Sequence, residues 1–275
     1  MTSLSGLGIG WRPEIAGIIA QFDGLDFCEV IAESVGTVAP TALTELDLPI
    51  VPHGVSLSLG SDETVDGRRV ENLARVAALL DAPLVSEHIA FVRAGGIEAG
   101  HLLPVPRTYE ALDALARNIA ITEDGLPVPL AVENIAALFD WPDDELTEGE
   151  FLAELIDRTG VALVLDIANV YANALNRGRD PWTELQRLPL DRIAYCHIAG
   201  GSIRDGVYHD THTDPVPSEV VELLRELTHS GCRPAVMLER DGHYPPATEL
   251  LAELDAIAYA ACMEPVATST EWVRS

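Results

Sequence analysis

Residues 128–169, VPLAVENIAALFDWPDDELTEGEFLAELIDRTGVALVLDIAN, decide the fold. An apolar run, Val128–Asn134, ends in Glu133 and Asn134. A second, Ala162–Ile167, ends in Asp166, with Asn169 just beyond it. Between them Trp141-Pro142 marks a loop and Thr147–Thr159 reads as a helix, with Thr147 and Glu150 at capping-box spacing. Strand, helix, strand in this order is the unit of a parallel sheet with helices packed on it.

The same unit recurs in both directions. Toward the N-terminus, strands are expected at Gly6–Gly10, Asp26–Ser34, Leu48–Ser56 and Leu84–Ile89, the third carrying His53 and the fourth Glu87 and His88. Pro13 opens a helix to about Phe22, Asp66–Leu80 has apolar residues at helical spacing, and a Gly-bearing loop after Ile89 leads to a helix over Thr108–Thr122. Toward the C-terminus, Arg192–Ile198 carries His197 and Pro234–Glu239 ends in Glu239, with helices at Pro181–Arg187, Pro217–His229 and Pro246–Cys262. Eight strands with a helix after most of them, and no dividing linker, predict a single-domain α/β TIM (β/α)8 barrel over 1–264, with 265–275 a C-terminal tail. In such a barrel the C-terminal strand ends converge on one mouth, so residues distant in sequence meet there.

Composition narrows the chemistry. At 275 residues and 48% hydrophobic, the chain has ample material for one barrel core. Its 17 basic residues are all arginine against 44 acidic ones, a net charge of -27. The absence of lysine removes Schiff-base aldolases, pyridoxal-phosphate enzymes and Walker-A ATPases, which each need its amine. The acidity opposes nucleic-acid binding, which draws its affinity from cations on the protein. No apolar run is long enough to cross a bilayer, and MTSLSGLGIGWRPE lacks the features of a signal peptide. Cys28, Cys196, Cys232 and Cys262 lie apart with no CxxC spacing and read as reduced thiols of a cytoplasmic protein, Cys196 being beside His197.

The mouth collects Glu87, Glu133, Asp166 and Glu239, joined by Asp210 from the loop after the seventh strand, with Arg240 and Arg204 the nearest arginines in sequence. Such a group of anions cannot stay ionised together in a partly dry pocket without cations. His53, His88, His197 and His212 add neutral nitrogen donors suited to Fe, Zn, Co or Mn. The donor set is therefore His53, His88, Glu133, Asp166, His197, Asp210, His212 and Glu239, with Asn169 a weaker member. A tetrahedral zinc takes about four protein donors and a facial-triad iron about three, so this set calls for two or three ions. Glu133 is placed to bridge, and Glu133, Asp166 and His197 form the expected catalytic centre. Within HDTH, Asp210 and His212 project alike if the segment is extended, with His209 on the other side. His101 is either a lid contact or a surface residue, His243 a candidate for the mouth's rim, and His229 a helix-closing structural residue.

HGVSLSLGS, LVSEHIAF, HLLPVP, VENIA, LDIANVYANALNRGRDP, CHIAG, DTH and LERDG, in this order, resemble the multinuclear non-haem iron-dependent oxidative enzymes, typified by the oxidase of methanobactin biosynthesis. The resemblance runs from GLGIGWRP to the helix after the eighth strand. It implies a xylose-isomerase-like TIM barrel with two or three irons, in mixed Fe(II)/Fe(III) states, held by His53, His88, Glu133, Asp166, Asn169, His197, Asp210, His212 and Glu239. Molecular oxygen would be the co-substrate and a ribosomally synthesised precursor peptide the substrate, with cysteine side chains the expected target. A small partner protein that grips the leader peptide is also implied. Two positions depart from the family's usual pattern: Ser34 stands where it carries Asn, and Asp166-Ile167-Ala168-Asn169 where it reads D-x-N-N. The alternative is a divalent-metal sugar isomerase or phosphodiesterase of the same barrel group. The net charge speaks against phosphoesters, and the missing lysine against isomerases that need one. A non-catalytic metal-binding or assembly protein on the same barrel is the third reading.

Overall fold

The computed structural model describes residues 4–268. Eight parallel strands close into a barrel: β1 (Leu7–Gly10), β2 (Phe27–Ile31), β3 (Ile50–Gly54), β4 (Val85–His88), β5 (Leu130–Glu133), β6 (Ala162–Asp166), β7 (Ile193–Ala199) and β8 (Val236–Glu239). They are the eight expected strands, in sequence order around the barrel, with β8 returning to pair β1. Helices packed outside the barrel include Gly67–Leu79, Tyr109–Gly125, Glu148–Thr159, Ser218–His229 and Ala247–Ala260.

Strand alternation sorts the side chains into two cores. Cys28, Val132, Leu165, Cys196 and Ile198 point outward and pack under the helices. Phe27, Val51, Leu84, Ala131, Val164, Tyr195 and Met237 point inward and plug the barrel. A Cβ on Gly8 would lie 2.6 Å from the Phe27 ring, so glycine there leaves the ring its space. Two residues after each plug member, on the same face and one layer nearer the mouth, stand Glu29, His53, Ser86, Glu133, Asp166, His197 and Glu239. The period of a strand thus lays a polar layer on an apolar plug.

Four local features differ from the sequence reading. The segment to Phe22 is a 3-10 turn, Pro13–Ile15, and a short helix, Ala16–Ile19, after which Phe22–Asp23 pairs antiparallel with Ala267–Thr268. Residues 269–275 of the expected tail lie outside the described residues. The loop after β4 is a hairpin, Ala90–Ala94 on Ile97–Pro104, and a smaller one, Ser202–Arg204 on Val207–His209, follows β7. Both turn on two residues with positive φ, Gly95-Gly96 and Asp205-Gly206, the left-handed pairing that matches strand twist. A helix over Ile167–Asn176, capped by Asp166, follows β6 directly. No helix of the described residues is long and apolar enough to cross a membrane.

Candidate metal centre

The donors expected at the mouth do meet there. His53 Nε2 lies 3.5 Å and His88 Nε2 3.7 Å from Glu133 Oε2. The other oxygen of Glu133 is 3.3 Å from His197 Nδ1, which is also 3.3 Å from Glu239 Oε2. His212 Nε2 is 2.6 Å from Asp210 Oδ2, and its Nδ1 is 3.3 Å from Glu239 Oε2. Three groups of donor atoms follow in a row, each gathered within 4.8 Å: His53, His88 and Glu133; Glu133, Asp166 and His197; Asp166, Asp210 and His212. Glu133 belongs to the first two and Asp166 to the last two, the arrangement bridging carboxylates would give. A fourth group, His212, Glu239 and Asp241, lies at the rim.

The local chain aims these atoms. Asp166 caps its helix with one oxygen, accepting from the Asn169 N–H at 2.8 Å, and turns the other to the mouth. Asn134 ties β5 to β6 by accepting from the Asp166 N–H and donating to the Asp166 carbonyl. The Asn169 amide donates to the Asn134 carbonyl, which leaves its oxygen free. Asp210 and His212 converge through a turn with His212 at φ 54°, not along an extended strand, which corrects the reason expected for their pairing. Buried oxygens or nitrogens of Glu133, Asp166, Asn169, His197 and Asp210 have no hydrogen-bond partner. Native interiors rarely leave such atoms unpaired, and a cation supplies what these lone pairs lack. The residues present therefore fit a multinuclear metal group.

Three expectations about neighbours change. Glu87, expected among the anions of the mouth, instead spends its carboxylate on the N–H groups of Ser56, Leu57 and His88 and anchors a loop, with His88 Nδ1 3.4 Å from Oε1. The arginine that reaches the centre is Arg12, bound to Asp241 and, at 3.1 Å, to Glu239 Oε1. Closure of β1 against β8 brings it there. Arg240 points away to Glu253 and the Thr213 carbonyl, because strand alternation turns the residue after Glu239 outward, and Arg204 is exposed on its hairpin. Cys196 faces the helix layer, where burial pushes its thiol well above its usual range. Sequence reading also missed Glu29 and Ser86, in the polar layer with the donors, and Tyr195 in the plug below them. The two-residue offset from Phe27 and Leu84 was the signal that marks Glu29 and Ser86.

Within the cluster the carboxylates and imidazoles shift one another's protons. Burial opposes a charged His88, but Glu133, Glu87 and Glu239 outweigh it and raise the imidazole to about 9. Burial likewise opposes His197 and His212, and carboxylates again win, holding both well above their usual range. Glu133, against its burial, is drawn down to about 2 by His197, His88 and His53. Burial and the charges of Asp210 and Glu133 push Asp166 well up. A divalent ion would displace these protons, since metal ligands must give them up.

A cleft of about 440 Å³ opens beside the centre, lined by His88, Glu133, Asn169, Asp210 and His212 on the donor side. Its other walls are His101, Leu102, Leu103 and Pro104 of the first hairpin, His209 of the second, and Ile135, Ala136, Leu138 and Phe139 after β5. Leu138 and Phe139 are exposed, which leaves an apolar lip on this opening. Of the uncertain histidines, His101 and His209 thus line the cleft, His243 joins none of the donor groups among the described residues, and His229 closes its helix as expected.

Known proteins resemble this chain at two depths. The barrel is similar to 3-keto-D-glucoside 4-epimerase YcjR of E. coli (TM-score 0.59, 12% identity, 94% of this chain and 99% of that one). It is equally similar to endonuclease IV of Thermus thermophilus (TM-score 0.59, 19% identity, 93% and 98%). At these identities the likeness shows the fold, that of the xylose-isomerase-like TIM barrels. Sequence relatives named only "UPF0276 protein" include one from Streptomyces avermitilis, 52% identical over 264 residues, and one from Caulobacter vibrioides, 38% identical over 260. The match covers 92% of this chain but only 54% of the Streptomyces protein, and 91% of this chain and 92% of the Caulobacter one. The family model described as "RiPP precursor modification enzyme MbnB/TglH/ChrH" matches residues 6–262, the whole barrel, and the chain belongs to that family.

Proposed function

We propose that the chain is a multinuclear iron-dependent oxidase that uses molecular oxygen to modify side chains, cysteine foremost, of a ribosomally synthesised precursor peptide. The observation that carries this reading is the row of three donor groups sharing Glu133 and Asp166, in a member of a peptide-modifying family. His53, His88 and Glu133 would hold one ion, Glu133, Asp166, His197 and Glu239 a second, and Asp166, Asn169, Asp210 and His212 a third. Two or three irons in mixed Fe(II)/Fe(III) states would supply the oxygen chemistry that no side chain offers. The protein's own part is to present few donors to each ion, so that positions stay open toward the cleft.

The cleft and its walls support a peptide substrate. A volume of about 440 Å³ accommodates a residue or two, and the two hairpins flank an opening through which an extended chain can pass. Leu102, Leu103, Ile135 and Phe139 keep water from the reacting side chain. The leader must then be held outside the barrel, the task of a small partner protein. The net charge of -27 favours a basic leader or partner and disfavours nucleic acid. An enzyme of this kind would work in the cytoplasm, where its peptide is made.

The test is to co-express the chain with the short reading frames encoded beside it and to weigh each peptide by mass spectrometry. We expect an oxygen-dependent mass change in one peptide, abolished by Glu133→Gln while circular dichroism is retained. Turnover of a free sugar or a phosphoester by the purified protein, with no peptide changed in mass, would overturn the proposal in favour of an isomerase or phosphodiesterase.

A further inference from the structure

Two histidines of the centre, their rings 5.5 Å apart, share one anchor. Glu29, fully buried in β2, accepts at Oε2 from the Tyr195 hydroxyl and, at 2.9 Å, from His197 Nε2. Ser86 Oγ lies 2.8 Å from the Tyr195 hydroxyl and 2.8 Å from His53 Nδ1. The carboxylate fixes every direction in this chain. A carboxylate only accepts, and each hydroxyl has a single proton to give. Tyr195 gives its proton to Glu29, so its oxygen accepts from Ser86. Ser86 has then given its proton, so its oxygen accepts from the Nδ1–H of His53. On the other arm His197 gives its Nε2–H directly to Glu29.

The consequence lies on the opposite side of each ring. The nitrogens left without an anchored proton are His53 Nε2, 3.5 Å from Glu133, and His197 Nδ1, buried and without a hydrogen-bond partner. Both face the donor groups described above. Whichever protons a cation displaces, those held by Ser86 and Glu29 stay.

We propose that Glu29 is a shared positioning residue which, directly and through Tyr195 and Ser86, fixes the tautomers of His197 and His53 so that both present a lone pair to the centre. The proposal rests on the reading of the mouth as a metal centre. It assigns a role to a buried carboxylate, a phenol and a hydroxyl that touch no substrate. Outer hydrogen bonds of this sort orient metal-binding imidazoles, and their loss typically costs about 10–100-fold in affinity.

Zn(II), which is diamagnetic, is the probe. In 15N spectra of histidine-labelled, Zn(II)-loaded protein we expect His53 bound through Nε2 with its proton on Nδ1, and His197 bound through Nδ1 with its proton on Nε2. Tyr195→Phe cuts the arm to His53 and spares the arm to His197. Zn(II) affinity should fall roughly 10-fold or more at the His53–His88–Glu133 position and stay nearly constant at the His197 position. Glu29→Gln, which removes the charge common to both arms, should weaken both. Circular dichroism of the metal-free variants monitors folding, and the wild-type spectrum decides by itself if Tyr195→Phe does not fold. Binding through the opposite nitrogens, or equal affinities at both positions in Tyr195→Phe, overturns the proposal and leaves the metal centre standing. A wild-type protein that takes up no Zn(II) or Fe(II) removes the metal centre and the proposal with it.

Discussion

At the scale of single residues, the donors are held in a state that only a cation or protons can balance, and pH separates the two. A histidine in an unfolded chain titrates near about 6.5, whereas His88 in the folded, metal-free protein is raised to about 9 by its carboxylate neighbours. A group raised on folding stabilises the fold fully below its unfolded value, and that stabilisation is lost as pH climbs through the folded one. We therefore expect the melting temperature of the metal-free protein to fall between pH 6.5 and 9, and metal loading to suppress the fall by taking the proton's place. Thermal melts by circular dichroism with and without metal check this; a metal-free protein whose melting temperature held steady over that range would mean that His88 is not protonated. His53, His88, Glu133, Asp166, His197 and Glu239 were legible because each ends an apolar run. Glu29, Ser86, Tyr195 and Arg12 were not. Glu29, Ser86 and Tyr195 sit inside strands rather than at their ends, and Arg12 reaches the centre only because β1 closes against β8.

At the scale of elements, strands were the easiest to read, because barrel strands buried on both faces are short, continuous apolar runs between turn residues. The helix Ile167–Asn176 escaped because its three asparagines are poor helix formers and its buried side chains spread around most of its circumference. Both hairpins carried a turn signal, Gly95-Gly96 and Asp205-Gly206, but their strands are short or largely exposed and lack the buried alternation that marks a strand. The helix Glu148–Thr159 was read correctly down to its cap: the Thr147 side chain accepts from the Glu150 N–H, and Glu150 accepts from the Thr147 N–H at 2.9 Å. Removing one partner of such a box typically costs about 1 kcal/mol. Thr147→Ala should lower the unfolding free energy by that amount in urea and leave metal content unchanged, since the cap lies at the helix start and not among the donors. A variant that lost metal as well would mean that this helix end supports the centre.

At the scale of the whole molecule, strand periodicity builds an apolar plug inside the barrel and, on top of it, a polar layer whose carboxylates and imidazoles gather at the mouth. The closed barrel makes that layering possible, because it carries donors from residues as distant as His53 and Glu239 to one place. Nothing in the fold alone selects a reaction; sugar epimerases and a nuclease share the barrel. What this chain places at the barrel mouth is a set of donors in three groups that share members. The number of ions per chain is therefore the most direct test of the centre. Protein reconstituted anaerobically with Fe(II), freed of loose metal and measured by elemental analysis, should hold two to three irons per chain, as three linked groups imply. One tightly bound zinc per chain with full activity would contradict it.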